Sequence, residues 1–90
     1  MSLAIYKYKL QPHVTLPKGA EILHCDVQND QWQLWAIVDT DPKSLTETRH
    51  FQVLGTGHKF ESSDRQLMKY ISTFQQGMYV WHVFEWLGLP

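Results

Sequence analysis

Apolar and polar residues alternate along much of this chain with a period of two, the spacing of half-buried β-strands. Ile5, Tyr6 and Tyr8 against Lys7 and Lys9 predict a first strand, with lysines suited to a sheet edge. Pro12 and Pro17 bracket Val14 to Leu16, and Leu16-Pro17-Lys18-Gly19 has the residues of a type I turn. Asn29-Asp30 predicts a two-residue hairpin with positive φ angles. It sets Val27 opposite Trp32, Cys25 opposite Leu34 and Leu23 opposite Ala36 on an apolar face. The other face pairs Asp26 with Gln33, His24 with Trp35 and Ile22 with Ile37.

Asp41-Pro42-Lys43-Ser44 predicts a surface turn, and Thr48 to Leu54 a strand with Arg49, Phe51 and Val53 on one face. Ser63-Asp64-Arg65-Gln66 has capping-box spacing and predicts one helical turn through Leu67 and Met68. Gln76-Gly77 is expected to close a last hairpin that pairs Phe74 with Tyr79, Ser72 with Trp81 and Tyr70 with Val83. Its reverse face pairs Thr73 with Val80, Ile71 with His82 and Lys69 with Phe84. The expected fold is mainly β: a small antiparallel sandwich or open barrel of about six strands, with at most one short helical turn.

Ninety residues suit one domain over 1–90, and four Trp, four Tyr and four Phe supply large surfaces to bury. The last hairpin is largely apolar on both faces, where a small monomeric sandwich keeps one wet. A homo-oligomer is therefore expected, most simply a dimer; the alternative is that the helical turn and chain ends cover the second face. A single cysteine, Cys25, excludes an intrachain disulfide and suggests a reducing compartment. No apolar run reaches membrane-spanning length, and Met1-Ser2-Leu3-Ala4 leads into the first strand without a signal- or transit-peptide pattern.

Several segments in order resemble a group of small uncharacterised bacteriophage and prophage proteins. They are Ile5-Tyr6-Lys7-Tyr8, Leu16-Pro17-Lys18-Gly19-Ala20-Glu21-Ile22-Leu23, Leu34-Trp35-Ala36-Ile37-Val38-Asp39 and Glu47-Thr48-Arg49-His50-Phe51. Gly55-Thr56-Gly57-His58, Tyr70-Ile71-Ser72-Thr73-Phe74 and His82-Val83-Phe84-Glu85 complete the series. The resemblance implies phage or prophage origin and the host cytoplasm, and carries no activity with it. The tail Trp86-Leu87-Gly88-Leu89-Pro90 runs past it.

Gly55-Thr56-Gly57-His58 is the first candidate for chemistry. Two glycines let successive N–H groups converge on an anion, with the Thr56 hydroxyl and the cations His58 or Arg49 assisting. The Lys-Ser/Thr of a P-loop is missing, and the alternative is a tight bend whose glycines answer steric demands. Trp81 and His82 are candidate walls of such a site.

His13, His24, His50, His58, His82 and Cys25 show no metal-ligand spacing, so no metal and no cofactor is expected. His82 and Glu85 as acid and base would need to share a face, which a spacing of three in a strand denies. Trp35, Trp81 and Trp86 invite base stacking, but a net charge of −1 and no basic stripe argue against nucleic acid. A non-enzymatic, self-associating binding module for a host protein or a small anionic ligand is the favoured class. A structural or accessory phage component is the alternative, and a small enzyme the weakest reading.

Overall fold

The computed structural model describes residues 1–88. It contains the strands β1 (Leu3–Lys9), β2 (His13–Pro17), β3 (Glu21–Gln28), β4 (Gln31–Asp39), β5 (Thr46–Gly55), β6 (Met68–Gln76) and β7 (Tyr79–Trp86). A 3-10 helix, Ser62–Leu67, precedes β6. All pairings are antiparallel, in two open sheets ordered β1-β4-β3 and β2-β5-β7-β6 that pack as a sandwich. Of the tail Trp86–Pro90, Leu89 and Pro90 lie outside the described residues.

The fold is mainly β, as expected, with one strand more than the alternation predicts. The addition is β2, short and ended by Pro17; it is an edge strand, where proline is tolerated. Asn29 and Asp30 adopt φ of 51° and 61°, and the pairs Val27–Trp32, Asp26–Gln33, Cys25–Leu34 and His24–Trp35 form as predicted. Beyond them a bulge at Leu23 shifts the register. Ile22 meets Ala36, Glu21 meets Ile37, and Leu23 is left exposed.

The last hairpin turns at Gly77-Met78, one residue later than Gln76-Gly77. Gly77 alone has positive φ, 61°, as a type II′ turn requires of its first central residue. The predicted turn would have forced Gln76 into that strained region. Phe74 therefore faces Trp81, Thr73 faces His82 and Ser72 faces Val83; a bulge at Ile71 then aligns Tyr70 with Phe84 and Lys69 with Glu85.

The earlier proline turn is also one residue late. The Ala20 N–H donates to Pro17 O at 3.1 Å, and Gly19 takes φ 81° at the position where type II turns place glycine. The Asp41–Ser44 turn forms, closed by Ser44 N–H to Asp41 O at 3.0 Å. The capping box does not form: Glu61 is the N-cap, without a side-chain cap bond, and the turn is 3-10.

Leu16, Leu34, Val38, Val83 and Cys25 are fully buried between the sheets. Where β3 meets β6, no ladder joins the sheets. Buried Ser72 bridges them instead, accepting the Cys25 N–H at 2.8 Å and bonding His24 Nδ1 at 3.0 Å. The bulges at Leu23 and Ile71 flank this corner and bend both strands into it. An aromatic cluster of Trp32, Phe74 and Trp81 fills one end of the sandwich, and an Arg49–Glu85 ion pair lies toward the other.

Candidate functional site

Gly55-Thr56-Gly57-His58 leaves the end of β5 as a reverse turn. The His58 N–H donates to Gly55 O at 3.0 Å, and Gly57 has φ 93°, a conformation that favours glycine. The Gly55 N–H donates to His58 Nδ1 at 3.0 Å, and the Thr56 N–H to Val80 O at 3.1 Å. Three of the four amides are thus engaged within the protein, and among the described residues only the Gly57 N–H is not. A neutral His58 bonded in this way carries its proton on Nε2.

Gly55 answers a separate, steric demand. A Cβ there would lie 3.2 Å from His58 Cε1 and 3.3 Å from Trp81 Cζ3. Trp81 also packs on Trp32 and Tyr79, with ring centroids 5.2 Å and 6.0 Å away. Trp32 is anchored by its indole N–H, which donates to Gln76 Oε1 at 2.9 Å. Between the Gly55–His58 turn and the Gly77-Met78 turn lies a cleft of about 470 Å³, walled by His58, Tyr79 and Trp81.

His82 follows Trp81 and so lies on the opposite face of β7. Its Nε2 is 2.7 Å from Thr56 Oγ1 and its Nδ1 3.1 Å from Thr73 Oγ1, which in turn bonds the Tyr70 hydroxyl at 2.7 Å. The turn therefore straddles the end of the sheet, Gly55 and His58 packing on Trp81 while Thr56 reaches His82. A smaller cleft of about 220 Å³ opens on the His82 side, under Phe60 and Phe84. Of the residues the sequence singles out, Gly55, Thr56, Gly57, His58, Trp81 and His82 meet here, split between two clefts.

Arg49 is elsewhere. Its Nε donates to Glu85 Oε2 at 2.6 Å and its Nη2 to Glu85 Oε1 at 2.8 Å, a bidentate fork. Its Nη1 donates to the Ala20 carbonyl, and Glu47 stands 3.9 Å away. The hydrogen bond to Glu85 raises the guanidinium pKa; burial opposes this, and the charges of Glu85 and Glu47 reinforce it. Glu85 lies on the opposite face from His82, as alternation expects, and the structure places it in the space between the sheets.

Cys25 is fully buried, and burial pushes its thiol pKa up to about 12, away from nucleophilic use. No cluster of three or more metal-ligating side chains occurs among the described residues. No helix among them is long and apolar enough to cross a membrane. Of two aromatics that the sequence reads only as strand-pairing, Tyr79 walls the larger cleft and Trp32 packs behind its Trp81 wall. Each lies within two residues of a hairpin turn, and that position at a sandwich end was the legible signal.

The fold and these clefts define a small two-sheet antiparallel β domain with an aromatic-walled end. Residues 1–87 match the model of a domain of unknown function, DUF7352, and the chain belongs to that family. No curated protein and no solved structure matches it significantly.

Proposed function

We propose that this is a non-enzymatic interaction domain whose binding surface is the cleft between the Gly55–His58 and Gly77-Met78 turns. The observation that carries the reading is the wall of that cleft, where Tyr79, Trp81 and His58 converge on about 470 Å³ beside the Trp32 indole. Binding sites are concave and mostly apolar with a few placed polar groups, and Tyr and Trp are enriched where partners anchor. The engaged turn amides and the paired Arg49 favour an apolar or aromatic side chain of a host protein over a small anion. Phage or prophage origin is part of the proposal and rests on the sequence resemblance.

Self-association is the second part of the reading. The chain exposes 6291 Å², against about 5,500 Å² for a typical monomer of 10.6 kDa. The difference, roughly 800 Å², is the area one partner contributes to a standard interface. β1 is a sheet edge with Leu3, Ile5 and Tyr6 exposed. The bonds Thr40 N–H to Ser2 O and Leu10 N–H to Trp32 O turn the even residues of β1 toward β4. Leu3, Ile5, Lys7 and Lys9 therefore aim their backbone groups at the open edge. Two copies pairing about Tyr6 set Ile5 opposite Lys7 and Leu3 opposite Lys9, so no lysine meets a lysine.

The test of the cleft is affinity capture from host lysate with the wild type and a His58→Ala, Tyr79→Ser variant. Any captured protein is then purified and titrated calorimetrically against both. The expected result is one partner whose affinity falls at least tenfold in a variant that keeps its β circular-dichroism spectrum. A partner bound equally by both forms, or no partner, overturns the cleft as the binding surface.

A further inference from the structure

Two of the five histidines stand apart from the rest. His24, His58 and His82 each have ring nitrogens in hydrogen bonds, whereas no hydrogen bond to the ring of His13 or His50 occurs among the described residues. His13 and His50 are separated by 36 residues in the chain, yet the register sets them directly opposite each other on β2 and β5. They share the outer face of the sandwich, since Val14 and Phe51 beside them are buried in the core. Their ring centroids are 4.7 Å apart, with the planes at 76°.

That spacing suits chelation. Metal–nitrogen bonds of about 2.0–2.1 Å and ligand angles of roughly 90–109° hold two imidazole centroids about 4.5–5.2 Å apart. The register holds the two backbones opposite each other, and χ2, a soft torsion for aromatic rings, is the freedom by which ring nitrogens turn toward a shared ion. The side chains next to them on this face, Thr15, Thr48, Gln52 and Trp86, are uncharged, and the nearest cation on it that the contacts place, Arg65, lies a strand further across, over the Phe84 ring.

We propose that His13 and His50 form a two-imidazole site for a divalent transition-metal ion, with its remaining positions left to water. Neutral imidazole suits copper, zinc and nickel, and copper(II) heads the affinity order for such a donor set. The site lies at a sheet edge, on the opposite side of the sandwich wall from the buried core, so water reaches it directly. It is independent of the aromatic cleft, and either reading stands without the other.

The experiment titrates the purified chain with CuCl₂ and, separately, ZnCl₂ by isothermal calorimetry at neutral pH. Wild type, His13→Ala, His50→Ala and a His24→Ala control are compared. One ion per chain is expected, bound at micromolar concentration with copper tighter than zinc. Each of the two site variants weakens binding at least tenfold, and the control does not. Substoichiometric copper added to the wild type, read by NMR, gives a check that needs no variant: the ring protons of His13 and His50 broaden first. Equal affinity in all four proteins, or broadening that begins at His24, His58 or His82, overturns the site.

Discussion

Glu85→Ala removes one member of the ion pair buried between the sheets. The Glu85 side chain is 8% exposed and that of Arg49 16%. The substitution deletes two charge-assisted hydrogen bonds, leaving the guanidinium with the Ala20 carbonyl and a distant Glu47 carboxylate at 3.9 Å. Breaking a buried pair in this way costs about 3–5 kcal/mol, and the residual exposure of Arg49 with Glu47 nearby places this case at about 3 kcal/mol. Total stability for a chain of this size is roughly 5–13 kcal/mol, so the loss is a large fraction. Thermal unfolding should fall by roughly 12–24 °C at about 4–8 °C per kcal/mol. Urea denaturation followed by circular dichroism measures the same quantity at 25 °C. Replacing both partners, Arg49→Met with Glu85→Leu, removes the stranded charge and should recover stability to within about 1 kcal/mol of wild type. A Glu85→Ala cost below about 1 kcal/mol, the range of an exposed pair, would refute the reasoning. So would a double variant as unstable as the single one.

Cys25 links stability to alkaline pH. Its folded thiol pKa, raised to about 12, exceeds that of the unfolded chain at roughly 8.5–9, so above pH 9 the unfolded state holds fewer protons. Stability should therefore be intact below pH 8 and fall between pH 9 and 12, by up to about 1.4 kcal/mol per unit, relative to Cys25→Ala measured in parallel. Gly55→Ala places a Cβ against His58 and Trp81; it should cost about 1–2 kcal/mol and shift tryptophan emission, whereas unchanged fluorescence and stability would show that both rings yield freely. Ile5→Asp puts a charge on the open edge of β1, exposed in the single chain, and should convert a dimer to a monomer in light scattering without lowering monomer stability. A wild type that is already monomeric at micromolar concentration removes the self-association reading altogether.

The alternation of residues was enough to predict a β fold, to put Arg49, Phe51 and Val53 on one face and to set Glu85 on the face opposite His82, because side-chain direction in a strand is a local property. Which face is the inner one came from the packing of the sheets. Asn29-Asp30 likewise specified its own turn, since few residues accept positive φ twice in succession. Gly77 signalled a turn without fixing its register, because glycine suits the first central position of one hairpin type and the second of another. The bulges at Leu23 and Ile71 carry no local mark; they exist because β3 and β6 must bend into the corner that Ser72 bridges. Candidate sites divide the same way. The glycines of Gly55–His58 announced a tight turn, but only packing decided that its amides are engaged inward and that the turn splits Trp81 from His82. The partnership of Arg49 with Glu85 and the meeting of His13 with His50 depend on which strands become neighbours. Strand order is set by how two whole sheets bury their faces together, a property of the assembled chain that no local window of residues contains.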